Sequence, residues 1–275
     1  MNQNETPSSQ GFDAWTRYFE ANLARHDRLD ALIPWDSVST LPAPHIAAIA
    51  RSLQRFELGE SSDGTGLLSK ARRRHDREYD AALRLFVAEE QKHSALFGAT
   101  LSRFGAERLT AHWSDGIFVV LRRMMGLRTE IALFLIVETV AMEYFVALKH
   151  CADPVVQGVA RRILTDEVEH VRFQIDQLRL GFASVPRPAR VLAASLAWVL
   201  AVGTATALAI DHGPAMRVCG LHPVTFWHRA LRHFGRALPL AFRLNRDQTP
   251  FGPSMQPSAE RLGRVGRVGR VPARA

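Results

Sequence analysis

The sequence predicts an all-α protein, and three observations carry that expectation. Segments with an apolar period of 3.5–3.6 dominate between residues 45 and 180. Alternating apolar and polar runs are scarce, and so are the Asn-Gly and Asp-Gly pairs that close hairpins. Ala, Leu, Arg and Glu, all good helix formers, are abundant. The 275 residues are 47% hydrophobic and 23% charged, enough to build a core for one large domain or two small ones. That composition excludes a wholly disordered chain and a collagen-like fibre. Two cysteines, Cys151 and Cys219, are too few for a disulfide framework or a cysteine-rich metal site and suit a reducing compartment. No basic start followed by a short apolar stretch opens the chain, so a cytoplasmic protein is expected.

In chain order, residues 1–11 are polar and are expected to be disordered. An amphipathic helix is predicted from Phe12 to Leu32, stopped near Pro34. Pro42 and Pro44 frame a turn, and a second helix begins near His45. Its stripe runs Ile46, Ile49, Leu53 and Phe56, and the next position on it is Glu60. The next helix carries Leu83 and Phe86, then Glu90 and His93, then Phe97. A further one carries Ile131 and Phe134, then Glu138, then Ala141 and Phe145. The last of this group carries Val156, Ala160 and Ile163, then Glu167 and His170, then Gln174. Each of these four helices therefore places ionisable groups on the stripe that should face a hydrophobic core.

Spacing brings two of the carboxylates to one height. Asp153-Pro154 is a strong helix start, with Asp as N-cap and Pro in the first turn. Glu138 lies 15 residues before Asp153 and Glu167 lies 14 after it. At a rise of about 1.5 Å per residue, both reach nearly the same level in an antiparallel pair. Glu60 and Glu90 are 30 residues apart, but Ser61-Ser62-Asp63-Gly64 breaks the helix directly after Glu60. How the chain crosses that gap is not readable from the pattern.

Glu90-Gln91-Lys92-His93 and Glu167-Val168-Glu169-His170 each set Glu and His three apart, on one helical face. With 14 Glu and 11 His in the chain, roughly 0.6 such pairs arise by chance, so one alone decides nothing. Two pairs, both on apolar stripes and each preceded by a lone stripe Glu, form a stronger pattern. Four carboxylates gathered in an interior repel one another and resist ionising there. Two divalent cations would balance the four negative charges, with two neutral imidazoles completing the shell. The competing explanation is that helical phasing has turned unrelated surface residues inward.

Over roughly residues 45–180 the order Glu60, Glu90 with His93, Glu138, Glu167 with His170 resembles the ferritin-like di-iron carboxylate superfamily. The resemblance implies a ferritin-like four-helix bundle with additional N- and C-terminal helices. It further implies a di-iron centre in which Glu90 and Glu167 bridge two Fe ions, Glu60 and Glu138 are terminal, and one histidine serves each iron. The runs Ala88 to His93 and Asp166 to His170 look more like the oxygen-activating oxidases, oxygenases and desaturases than like storage ferritins. On that likeness the protein is an oxidoreductase with O2 as co-substrate, an external electron donor and a small organic or acyl substrate. Arylamine N-oxygenases carry an extra His one turn before the last Glu-x-x-His; here Ile163 stands there, which argues against that reaction. Ferroxidase or peroxide-scavenging iron handling is the second reading, and a membrane-associated protein with a structural metal the third. Mixed His and carboxylate donors with open positions suit iron better than a closed structural zinc site.

Neighbouring acids are expected to matter less. Glu57, Glu89, Glu143, Asp166 and Glu169 lie off the stripes and read as solvated or as supports for the ligands, Asp166 as one that orients an imidazole. Glu57 is the rival of Glu60, one turn away. Tyr144 reads as packing, with a radical or proton-donor role as the alternative. Phe86, Phe97, Phe134 and Phe145 would line an apolar site or form an ordinary core.

The bundle is expected over 12–180 and a helical extension over 181–247. Val191 to Ile210 is a run of 20 residues without a charge, long enough to cross a bilayer but rich in Ala and small polar residues. A buried helix or a homodimer contact is preferred for it over membrane contact. A basic amphipathic helix follows at 223–242, so peripheral membrane association through 191–242 stays open. His222, His228 and His233 lack ligand spacing. Half of the net charge of +8 sits in residues 251–275, which hold Arg261, Arg264, Arg267, Arg270 and Arg274 against Glu260. The tail over 248–275 is expected to be disordered, and with so much of the charge there a nucleic-acid partner is not expected.

Overall fold

The computed structural model describes residues 9–112, 116, 125–244 and 252–253. Among these, every regular element is a helix. In chain order they are α1 (Ser9–Asp30), α2 (Ala43–Glu60), α3 (Thr65–Arg72), α4 (Arg77–Arg103), α5 (Leu127–Leu148), α6 (Pro154–Gly181), α7 (Arg187–Asp211), α8 (Gly213–Val218) and α9 (Pro223–Ala241). Ser9 to Gly11 belong to α1, which shortens the expected disordered N-terminus; residues 1–8 lie outside the described residues. The expected tail over 248–275 likewise lies outside them, apart from Gly252 and Pro253.

Helix boundaries follow local chemistry. Pro42 precedes α2 and Pro44 sits in its first turn, where a missing N–H costs nothing. Asp76 caps α4 by accepting from Tyr79 N at 3.0 Å. Asp153 caps α6 by accepting from the N–H groups of Val155 and Val156, both at 3.0 Å, with Pro154 in the first turn as the sequence predicts. The gap after Glu60 is crossed by a break and one short helix. Gly64 adopts φ +66°, a conformation that favours glycine, and a β-carbon there would approach Val87 to 2.7 Å. Asp63 Oδ1 accepts from Thr65 N at 3.0 Å and helps to start α3, which returns the chain to α4.

The four helices with charged stripes form two antiparallel pairs. Along α2 and α4, Glu57 meets Ser94 while Gly64 meets Val87, so one helix rises as the other descends. The α5–α6 pair is the hairpin that the spacing around Asp153 requires. The pairs meet through α4 and α6, again antiparallel, with His93 opposite Asp166 and Glu89 opposite His170. The first helix packs outside this seam on α4 and α6. Phe12, Trp15 and Phe19 of α1 meet Phe173 with ring centroids 5.5–5.8 Å apart and largely edge-on geometry. Each such fully buried ring contributes about 2–3 kcal/mol, which fixes α1 against the bundle.

Beyond the bundle, α7 and α9 pack on each other and on α5, and α8 rests on α2. The buried face of α7 is Ala194, Ala197, Ala201 and Ala205. Its other face is exposed, so the expectation of a helix buried within this chain does not hold. By length and composition α5 and α7 could each cross a membrane, but α5 is mostly buried as a core helix.

Candidate metal centre

The stripe positions converge. One donor atom each from Glu90, His93, Glu167 and His170 lie within 4.8 Å of one another, a cluster that could hold a metal ion. Glu90 Oε1 is 2.8 Å from His170 Nδ1, and Glu167 Oε1 is 3.4 Å from His93 Nδ1. Glu60 and Glu138 are not among those four, but both line one cavity with Glu90 and Glu167. Glu60 and Glu90 keep some accessible surface because they face that cavity.

The outer sides of both imidazoles are taken. His93 Nε2 lies 3.0 Å from Asp166 Oδ2, and His170 Nε2 lies 2.9 Å from Glu89 Oε2. The pattern is reciprocal, because the acid before each stripe Glu holds the histidine of the opposite helix. Those contacts place the N–H on Nε2 and leave Nδ1 to face the cluster. His26 of α1 closes the outer ring, with Nε2 3.1 Å from Asp166 Oδ1 and 3.4 Å from Glu89 Oε1. Asn22 donates to Glu89 Oε1 at 2.9 Å, and Arg162 pairs with Asp166 and, at 2.7 Å, with Asp30.

Inside the ring, pairing is incomplete. Glu60 Oε2, Glu138 Oε2 and Glu167 Oε2 are buried atoms with no hydrogen-bond partner, while the inner Nδ1 atoms of His170 and His93 face Glu90 Oε1 and Glu167 Oε1. Buried polar atoms without partners are uncommon, and carboxylate oxygens left so beside the four-residue cluster fit a group that could hold a metal ion. The donor set also fits a metal pair: hard carboxylate oxygens and two imidazole nitrogens already oriented from behind.

Electrostatics describe the same strain. Burial holds the carboxyls of Glu60 and Glu138 well above the ordinary range, with repulsion from Glu90 and Glu167 added to it. Burial opposes a charge on His93, yet Asp166 and Glu167 outweigh it and hold the imidazole well above its usual value. His170 is raised in the same way by Glu89 and Glu90. Asp166 goes the other way: burial is overcome by hydrogen bonds to His26 and His93 and by the Arg162 charge, and its carboxyl falls well below the usual range.

No family model, no curated protein and no solved structure matches this chain. The reading of the site therefore rests on its own geometry.

A cavity of about 400 Å³ adjoins the cluster. Its walls include Phe56, Leu133, Phe134, Val137, Ala141 and Phe145 from the bundle and Val199, Leu200, Gly203, Thr204, Ala207 and Leu208 from α7. Phe134 and Phe145 thus serve as expected. Phe86 instead stands edge-on to His170 at 4.8 Å, and Phe97 packs on Phe56 and Phe145. Arg55 and His212 are the polar groups at the α8 end of the cavity.

Several off-stripe acids are buried, not solvated: Glu57, Glu89, Glu143, Asp166 and Glu169 all are. Glu57 turns away from the cluster, accepting from Ser94 at 3.2 Å and pairing with Arg108 at 2.9 Å, so Glu60 alone of the two reaches the cavity. Glu143 ties α5 to α9 through His233 at 2.7 Å. Tyr144 is buried, stacked on Phe56 and bonded to Ser52, which in turn sits 2.6 Å from His212 Nδ1. Sequence reasoning missed His26. The signal was present: Phe12, Trp15, Phe19, Asn22 and His26 follow alternating steps of three and four, so His26 ends an inward stripe of the same kind.

Proposed function

We propose that the protein is a di-iron, O2-dependent oxidoreductase of the oxygenase, hydroxylase or desaturase type, acting on an unidentified small organic or acyl substrate. The observation that carries this reading is the buried convergence of Glu90, His93, Glu167 and His170 beside an apolar cavity that Glu60 and Glu138 also line. Glu60, Glu90, His93, Glu138, Glu167 and His170 would hold the two metals between them. Two irons bound there would supply the electrons that dioxygen takes up.

The remaining work belongs to the chain. Asp166 and Glu89 hold the Nε2–H of His93 and His170, which fixes ring orientation and raises the basicity of Nδ1. Gln174 donates to Glu138 Oε1 and keeps its other oxygen free for a cation. Phe134, Val137, Ala141 and Phe145 exclude water from the open side and offer an apolar substrate contact within reach of the carboxylates. An apolar cavity of this size suits a small organic substrate.

The test is oxygen uptake by protein loaded with ferrous iron and supplied with a chemical reductant. The proposal expects uptake that stops at the capacity of two irons per chain before the reductant is supplied, and sustained uptake that needs both the reductant and an added oxidisable organic compound. Continued uptake driven by iron alone, with mineral growth beyond two irons per chain, would select the ferroxidase reading instead.

A further inference from the structure

Charge and apolar surface are segregated in this molecule. Residues 187–243 contain seven arginines and a single acid, Asp211, a net +6. Residues 1–186 contain 22 Lys and Arg against 24 Asp and Glu, a net −2. The layer of α7–α9 is therefore strongly basic while the bundle beneath it is slightly acidic.

The same layer carries the exposed apolar surface. Leu192, Leu196, Val199 and Ile210 of α7 are 62%, 59%, 67% and 72% exposed. Trp198 lies beside Phe234 and Trp227 donates to Thr206 Oγ1 at 3.0 Å, so two indoles mark the seam between α7 and α9. Exposed Arg229, Arg232 and Arg236 stand on α9, and Arg187 opens α7. An apolar helix face, indoles at its edge and a surround of arginines is the pattern of a helix lying in the interface of an anionic bilayer. A homodimer contact explains the apolar face, but two copies would set these arginines against each other.

We propose that α7 docks this protein on an anionic membrane, lying in one leaflet with Leu192, Leu196 and Val199 among the acyl chains. Val199, Leu200 and Gly203 both reach the surface and line the cavity, so docking sets the cavity mouth against lipid. The cavity follows α7 from Val199 to Leu208, about 14 Å at the helical rise, and Glu60, Glu90, Glu138 and Glu167 also line it. Resting on the oxidoreductase reading, this assigns the substrate to membrane-dissolved molecules with a long apolar chain, which would lie against the carboxylates that line the cavity.

Sedimentation of the full chain with vesicles tests the docking. Phosphatidylcholine vesicles containing phosphatidylglycerol should bind at least 10-fold more tightly than phosphatidylcholine alone. The double variant Leu192→Glu with Leu196→Glu, neither residue lining the cavity, should lose about 10-fold in vesicle binding while keeping its melting temperature and metal content. No binding to the anionic vesicles overturns the proposal, and so does binding that ignores the double variant, since the basic tail would then carry it. A dimer that this variant converts to monomer assigns the face to a second copy and overturns it equally. Glu90→Ala should bind vesicles unchanged, so loss of metal and loss of docking are read separately.

Discussion

Asp166 Oδ2 lies 3.0 Å from His93 Nε2, although the two residues sit on different helices and 73 positions apart. Glu89 stands in the same relation to His170 at 2.9 Å. Each Glu-x-x-His segment is thus preceded by an acid that orients the imidazole of the other, so neither histidine is set by its own helix alone. With the outer nitrogens held, the inner ones face Glu167 and Glu90 across the cluster.

Glu89→Gln should weaken metal binding while leaving the helices intact. Glutamine can still accept from His170 Nε2, but the negative charge that raises the basicity of Nδ1 is gone. A loss of about 10-fold in affinity is expected, read by competition with a chelator of known strength. Unchanged affinity would mean that the outer ring is packing only.

Glu138→Gln should act with opposite signs on the two forms of the protein. Burial already holds this carboxyl well above the ordinary range, so the neutral amide mimics its metal-free state. Melting of the metal-free variant should match or exceed that of the parent, while its metal content falls. A variant that melts lower without metal yet binds two ions normally would contradict this.

Chelation should lower the melting temperature of the parent. Metal at about 1,000 times its dissociation constant contributes about 4 kcal/mol. For a chain of this size that corresponds to a shift of about 10 °C by calorimetry. Identical curves with and without chelator would show that no cation relieves the buried carboxylates.

His212 should make the protein acid-sensitive. Burial, then the charges of Arg55 and His112, push its imidazole down to about 3, against an unperturbed value near 6.5. The unfolded chain therefore takes up a proton that the folded one refuses, and the contribution of His212 to stability falls as pH drops below about 6.5. His212→Gln removes that dependence. Between pH 7 and 4.5 the stability of the parent relative to the variant should fall by about 2–3 kcal/mol in urea titrations. A difference that stays constant over this range would contradict the buried neutral imidazole.

Much of the site is legible in the sequence because helical phase is a strict ruler. Glu60, Glu90, Glu138 and Glu167 are recognisable as inward positions once Phe56, Phe86, Phe134 and Ile163 fix the stripe, and Asp153-Pro154 sets the height of two of them. Position off the stripe is a weaker guide to solvation. Glu89 and Asp166 flank the stripe and are buried because α1 covers the seam between α4 and α6, a contact made across the fold and absent from any local pattern. His26 was readable but has no Glu three residues before it to draw attention. The apolar run of α7 cannot reveal which face meets protein, since small and large apolar residues alternate around it.

The central claim is that buried charge converges here because a pair of metal ions belongs between the helices. Iron content of protein produced in iron-supplemented medium, and purified without added metal, tests it most directly, with Glu90→Ala and Glu167→Ala measured alongside. The account predicts about two irons per chain in the parent and loss of both in either variant, because each carboxylate is shared. A parent free of metal, or variants that retain the full complement, would contradict it.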